Sequence, residues 1–262
     1  MKFIKRNLIL IAILCLIPVF GFSAARTLKT VLNEDTMEDA TFSGNIHVAG
    51  HMCYYGEMAI IDNANALTIN AADEWHAIDG DIVTGLVHGF TYAAGSDGVI
   101  ASTTDAGSGD VTINDVAHGL SAGDYITING TTNYNGIFEV KTAATDSFTI
   151  TDTWVSDQSG YWQQGASLTC DVGSAGTYRG MWNACGISST TGHVFDFSPC
   201  INTTVSGKAK SRRKFSNTDY GSFGGGGLMV FAEGDVIQFL IQNIGNSGNI
   251  TIRTFDINIV KI

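Results

Sequence analysis

The run GDVIQFLIQNIGNSGNITIRTFDINIVKI, residues 234–262, holds two apolar stretches around a Gly/Asn/Ser turn. In the first, Ile237, Phe239 and Ile241 share one parity, the period of a strand with one buried face. The second starts with Ile250 and Ile252 on one parity. It continues with Phe255, Ile257 and Ile259 on the other. A one-residue slip turns every side chain of a strand to the opposite face. The phase change near Arg253 and Thr254 therefore predicts either a β-bulge or a strand with one face in a core and the other on an oligomer axis. Both readings place the closing strand inside a sheet.

The composition extends this reading to the whole chain. The 262 residues include 31 Gly and only 2 Pro, with 44% hydrophobic and 15% charged residues. Abundant Gly with many Thr, Asn, Val and Ile is the make-up of short strands joined by glycine turns. No helical period persists anywhere. Closely spaced strands predict an all-β sandwich or barrel.

Residues 1–25, MKFIKRNLILIAILCLIPVFGFSAA, combine a basic start at Lys2, Lys5 and Arg6 with an apolar segment and a small-residue end. That is the pattern of a secretory signal peptide, so a secreted or cell-surface protein is expected, with no membrane attachment after cleavage. Removing the signal leaves 11 basic against 25 acidic residues, a net charge of −14. Such a surface repels nucleic acid and anionic lipid. The one basic run, KAKSRRK at residues 208–214, reads as a solvated strand and loop, with an anionic glycan or an acidic neighbouring subunit as the alternative partner. Residues 26–66 read as a stalk or linker that packs against something outside itself.

Outside the signal stand Cys53, Cys170, Cys185 and Cys200. Export permits disulfides. One bridge among Cys170, Cys185 and Cys200 is expected from their proximity in the chain. Buried free thiols are the alternative.

The middle of the chain has a pattern of its own. His118-Gly119-Leu120 and Gly123-Asp124 lead into a strand with Ile126 and Ile128 inward. Asn129-Gly130 and Asn135-Gly136 mark turns. Phe138 with Val140, and Phe148 with Ile150, are further inward pairs. This spacing resembles a small β-barrel family named after the first catalytic cysteine half-domain of ubiquitin-activating enzymes. Many of its members occur in phage tail and fibre proteins, where the module is structural. The block carries no cysteine, so the resemblance implies no ubiquitin chemistry. The module is expected to be an insert, residues 105–165, between two parts of a larger head, residues 67–104 and 166–262.

In the head, Tyr178, Trp182 and Ala184 share a parity, as do Phe195 and Phe197. The order of AGTY (residues 175–178), EGD (residues 233–235) and an apolar closing strand resembles the complement-type globular head, a relative of the tumour-necrosis-factor-like jelly roll. EWHAI (residues 74–78) resembles the first strand of bacterial and phage versions. The resemblance implies a jelly-roll sandwich, a homotrimer and core or oligomer roles for Tyr178, Trp182, Phe195, Phe197, Ile237, Phe239, Ile241, Phe255 and Ile257.

No catalytic grouping stands out. His51, His76, His88, His118 and His193 are scattered, without an H-E-x-x-H or a C-x-x-C. His51 and Cys53 alone do not make a metal site. Asp73-Glu74 is a bare acidic pair, and GSFGGGG (residues 221–227) reads as a flexible loop rather than a phosphate cradle. No cofactor or metal is implied, and no enzyme is expected. The function expected is a secreted trimeric structural or binding protein of fibre, appendage or adhesin type, with a head that meets a surface glycan or protein receptor. A filament subunit that donates an N-terminal strand from residues 40–48 and an extracellular carbohydrate-active enzyme are the alternatives.

Overall fold

The structure, a computed structural model, describes residues 54–69, 71–78, 82–216 and 220–262. The signal segment, residues 26–53 of the stalk with the strand-donation candidate, and the pair His51 and Cys53 lie outside these residues. Every regular element among the described residues is a β-strand.

Two antiparallel sheets form the head. The first runs in the order Gly221–Phe231, Gly176–Ser188, Ile250–Lys261, Tyr55–Ile60 and Ile82–His88. The second runs Thr204–Val205, Val194–Ile201, Val236–Ile244, Ser167–Cys170 and Phe90–Ala93, with Ser211–Lys214 and His76–Ala77 paired beside it. From Ser167–Cys170 onward, the long strands alternate between the two sheets. Apolar side chains of both inner faces meet in one core. Tyr178, Trp182, Phe195, Phe197, Ile237, Phe239, Ile241, Phe255 and Ile257 are all buried there.

The closing strand takes the first of its two expected forms. Cys185 faces Thr254 and Gly186 faces Ile252, so Arg253 is an extra residue with no partner on that side. This bulge restores the phase, and Ile250, Ile252, Phe255, Ile257 and Ile259 all point into the same core. The strand lies inside its sheet, between Gly176–Ser188 and Tyr55–Ile60.

The inserted module is two four-stranded sheets around a separate core. One sheet is Thr142–Ala144, Ser147–Thr151, Asp110–Asn114 and Ser102–Gly107. The other is Ser96–Ile100, Gly160–Gln164, Tyr125–Asn129 and Gly136–Glu139. Ile126, Ile128, Val140, Phe148, Ile150 and Trp162 fill it. His118 is part of the frame, with Nε2 on the Ala144 carbonyl and Nδ1 accepting from Leu120 N.

Three boundaries differ from the expectation. Ser96 pairs with Gln164, so the insert spans residues 96–164. Tyr55–Ile60 is an inner strand of the first sheet, so the head begins at least at Tyr55 rather than after residue 66. The glycine run is not a loop: residues 224–227 pair with residues 180–183 in the middle of an eleven-residue strand. Tryptophan is the reason. Gly225 lies directly across from Trp182, and a Cβ there would come within 2.9 Å of the indole nitrogen. The same device recurs in the insert. Gly98, in an Asp-Gly pair that ordinarily signals a turn, sits across from Trp162 in a strand, and its Cβ would approach that indole to 2.5 Å. In each core a ring lies over a bare backbone.

Candidate functional site

The insert docks on the outer side of the second head sheet. Gln238 Nε2 donates to the Tyr125 carbonyl at 2.8 Å. Ala77 N donates to Thr127 Oγ1 at 3.2 Å, and Asn135 Nδ2 to Glu74 Oε1 at 3.0 Å. Ala77, Cys200 and Leu240 form a small apolar cluster beneath Ile137 of the insert. Beside these contacts opens a cleft of about 690 Å³, within the size range of small-ligand sites.

The cleft has a wall from each module. The head wall carries Ile60, Ile78, Ile82 and Ile252, with the polar Asn63, Asn65, Thr68 and His76 among them. The insert wall is the outer face of a three-strand ladder. Asn129, Tyr161 and Val99 stand in one row, and Thr127, Gln163 and Asp97 in the next. Alternation explains the placement: Ile126, Ile128 and Trp162 point into the insert's core, so their neighbours must point out. Asn129 is 1% exposed, and neither its Oδ1 nor its Nδ2 has a hydrogen-bond partner among the described residues. His76 lines the same cleft from the head. Burial pushes its pKa down to about 4, against the opposing pull of the Gln163 side chain and the Ala71 backbone, so the ring is neutral near pH 7. Its Nε2 also lacks a hydrogen bond of good geometry.

A second surface lies on the other side of the head. The outer face of the first sheet is not covered by any described element. One row, Leu228, Arg179, Val260, Tyr55 and His88, crosses all five strands. Leu228, Val230, Met181 and Val260 are 43–69% exposed. Between Met181 and Leu228 the glycine strand leaves a shallow groove floored by residues 225–227.

The other residues singled out in the sequence have structural partners. Cys170, Cys185 and Cys200 are free thiols, so the expected bridge among them is not formed. Cys170 packs in the sandwich core, Cys185 lies on the opposite sheet, and Cys200 points to the outer cluster of its sheet. Burial pushes the Cys200 thiol up to about 12, which makes it a poor nucleophile. The basic run serves the fold. Arg212 grips the buried Asp196 through Nε at 2.6 Å and Nη2 at 2.8 Å, and Lys210 adds a bond at 3.0 Å. These bonds hold the Asp196 carboxyl below the usual range. Asp73 Oδ1 accepts from Gly245 N while Glu74 holds Asn135, so the acidic pair ties loops together. Among the described residues no group of three His, Cys, Asp or Glu could hold a metal ion.

Sequence reasoning missed the cleft. Asn129 was visible only as part of an Asn-Gly turn and His76 only as one scattered histidine. The single available signal was the polar parity of YITIN (residues 125–129), where Tyr125, Thr127 and Asn129 alternate with isoleucines.

No family model and no curated protein matches the chain. A solved structure that matches is the insecticidal delta-endotoxin Cry8Ea1 from Bacillus thuringiensis, at 10% identity and a TM-score of 0.23, over 85% of this chain and 55% of that one. This chain thus spans about half the length of that toxin, and so loose a superposition bears on neither fold nor function.

Proposed function

We propose that this protein is a secreted, trimeric structural and binding protein of fibre or adhesin type. In this reading the head is a jelly roll of the complement type, a reading supported by strands that pass alternately between two sheets. The observation that carries the proposal is the uncovered outer face of the first sheet. Leu228, Val230, Met181 and Val260 stand exposed on it, while the second sheet's outer side is occupied by the insert. A second copy of the chain is the occupant. Leu228 and Val230 of one copy would press on a neighbour, and the glycine groove would accept a side chain where no Cβ stands in the way. Three heterologous contacts of this kind close a ring.

The reading favours binding over catalysis. Asp196, Asp73, Glu74 and His118 are engaged in holding strands and loops together. The test is solution mass by light scattering. The expected mass is three chains, falling to one in the double variant Leu228→Asp with Val260→Asp while the β-sheet circular dichroism is kept. A monodisperse wild-type monomer overturns the proposal.

A further inference from the structure

Resting on the adhesin side of that reading, we propose that the cleft between head and insert is a binding site for a neutral saccharide, held by the Asn129 carboxamide. Buried polar groups in native folds are almost always hydrogen-bonded, and each exception calls for a reason. Leaving one buried amide unpaired is destabilising. Asn129 leaves both of its amide atoms unpaired at the same place, beside a cleft of ligand size.

The chemistry of the walls narrows the ligand. A carboxamide offers one acceptor and one donor side by side. A pair of neighbouring hydroxyls offers the complementary donor and acceptor. The neutral His76 ring adds a group that can donate or accept. Tyr161, half exposed and directly across from Asn129, supplies an aromatic face for sugar C–H groups. The isoleucines of the head wall take the less polar face of the same ring. The lining has no lysine or arginine, and its one carboxylate is Asp97. An anionic ligand such as a sialylated or sulfated glycan would therefore meet repulsion without a counter-charge.

The amide sits at the floor of the cleft with no exposed surface, so hydroxyls reach it through small shifts of the residues around it. The site joins strands from both modules: His76 lies on the head and Asn129 on the insert. A saccharide held here would bridge the two.

The test uses the full mature chain and a panel of neutral oligosaccharides (cellotriose, maltotriose, mannotriose, galactobiose), with sialyllactose as the anionic control. Binding is read by saturation-transfer NMR and calorimetry. At least one neutral sugar is expected to bind, and sialyllactose is not. Asn129→Leu is expected to weaken binding at least tenfold and to raise the unfolding midpoint by about 2–4 °C, because it removes an unpaired amide. A merely structural asparagine would instead lose stability on that change. Tyr161→Ala lies on the rim, and an expected loss of affinity there keeps the test decisive if the leucine variant does not fold. Transfer from no neutral sugar, or binding unchanged in both variants, overturns the proposal. Light scattering on the same samples reports the trimer independently, so failure of the saccharide site and failure of the assembly are told apart.

Discussion

His76 is the residue on which folding, pH and the cleft converge. It pairs with Ile241 on one side and lines the cleft on the other. Its pKa falls from 6.5 to about 4 because burial disfavours the charged ring. A depressed histidine pKa means that the unfolded chain takes up the proton first. The neutral ring therefore costs nothing above pH 6.5, and stability is lost as the pH falls from 6.5 towards 4. Relative to His76→Gln, the wild type is expected to lose on the order of 3 kcal/mol by pH 4. Urea unfolding at pH 7.5 and at pH 4.5 checks this. Parallel losses in the two proteins would remove His76 as the cause. Nothing in the local sequence around His76 announces its burial. That depends on Val236–Ile244 beside it and on the insert, from residues far along the chain.

At the scale of the element, the closing strand and the glycine strand show opposite kinds of legibility. The phase change in ITIRTF could be read directly, because a strand's period is two and an odd insertion has few remedies. Deleting Arg253 removes the extra residue, so Ile250 and Ile252 fall in phase with Phe255 and Ile257 without a bulge. The inward set stays buried, and the deletion is expected to cost no more than about 1–2 kcal/mol. Arg253→Ala should cost within about 1 kcal/mol, since it loses a surface ion pair with Asp62 and a contact over the Tyr220 ring. Thermal unfolding of both variants checks this, and a far larger loss on deletion than on Arg253→Ala would mean that the bulge itself, not the phase it restores, is needed. The glycine strand was misread for an equally physical reason. Four glycines in a row signal a loop when propensity is all that is known. Here they are strand residues because Trp182 needs the space above Gly225. Asp97-Gly98 misleads in the same way beside Trp162.

For the whole molecule, the insert and the head divide the labour. The insert begins and ends at one paired position, Ser96 with Gln164, and has its own core. Replacing residues 96–164 with a short Gly/Ser link between Gly95 and Gly165 should therefore leave the head folded. Far-UV circular dichroism and a cooperative thermal transition check this. The truncated head is expected to keep the assembled mass of the full chain, to lose the saccharide site, and to become less soluble as Ala77 and Leu240 lose their cover. A head that no longer folds would make the insert a part of one cooperative unit.

The sequence by itself determined the all-β class, the alternation that buries Ile237, Phe239, Phe255 and Ile257, and the phase change in the last strand, for which a bulge was one of two readings. Those features rest on periods of two and on turn residues, which are local. Only the tertiary structure decided that the glycine run is a strand, that Cys170, Cys185 and Cys200 face different ways, that the basic run closes on Asp196, and that Asn129 and His76 share a cleft. Each of these depends on which distant surface lies opposite a side chain. No local period carries that information.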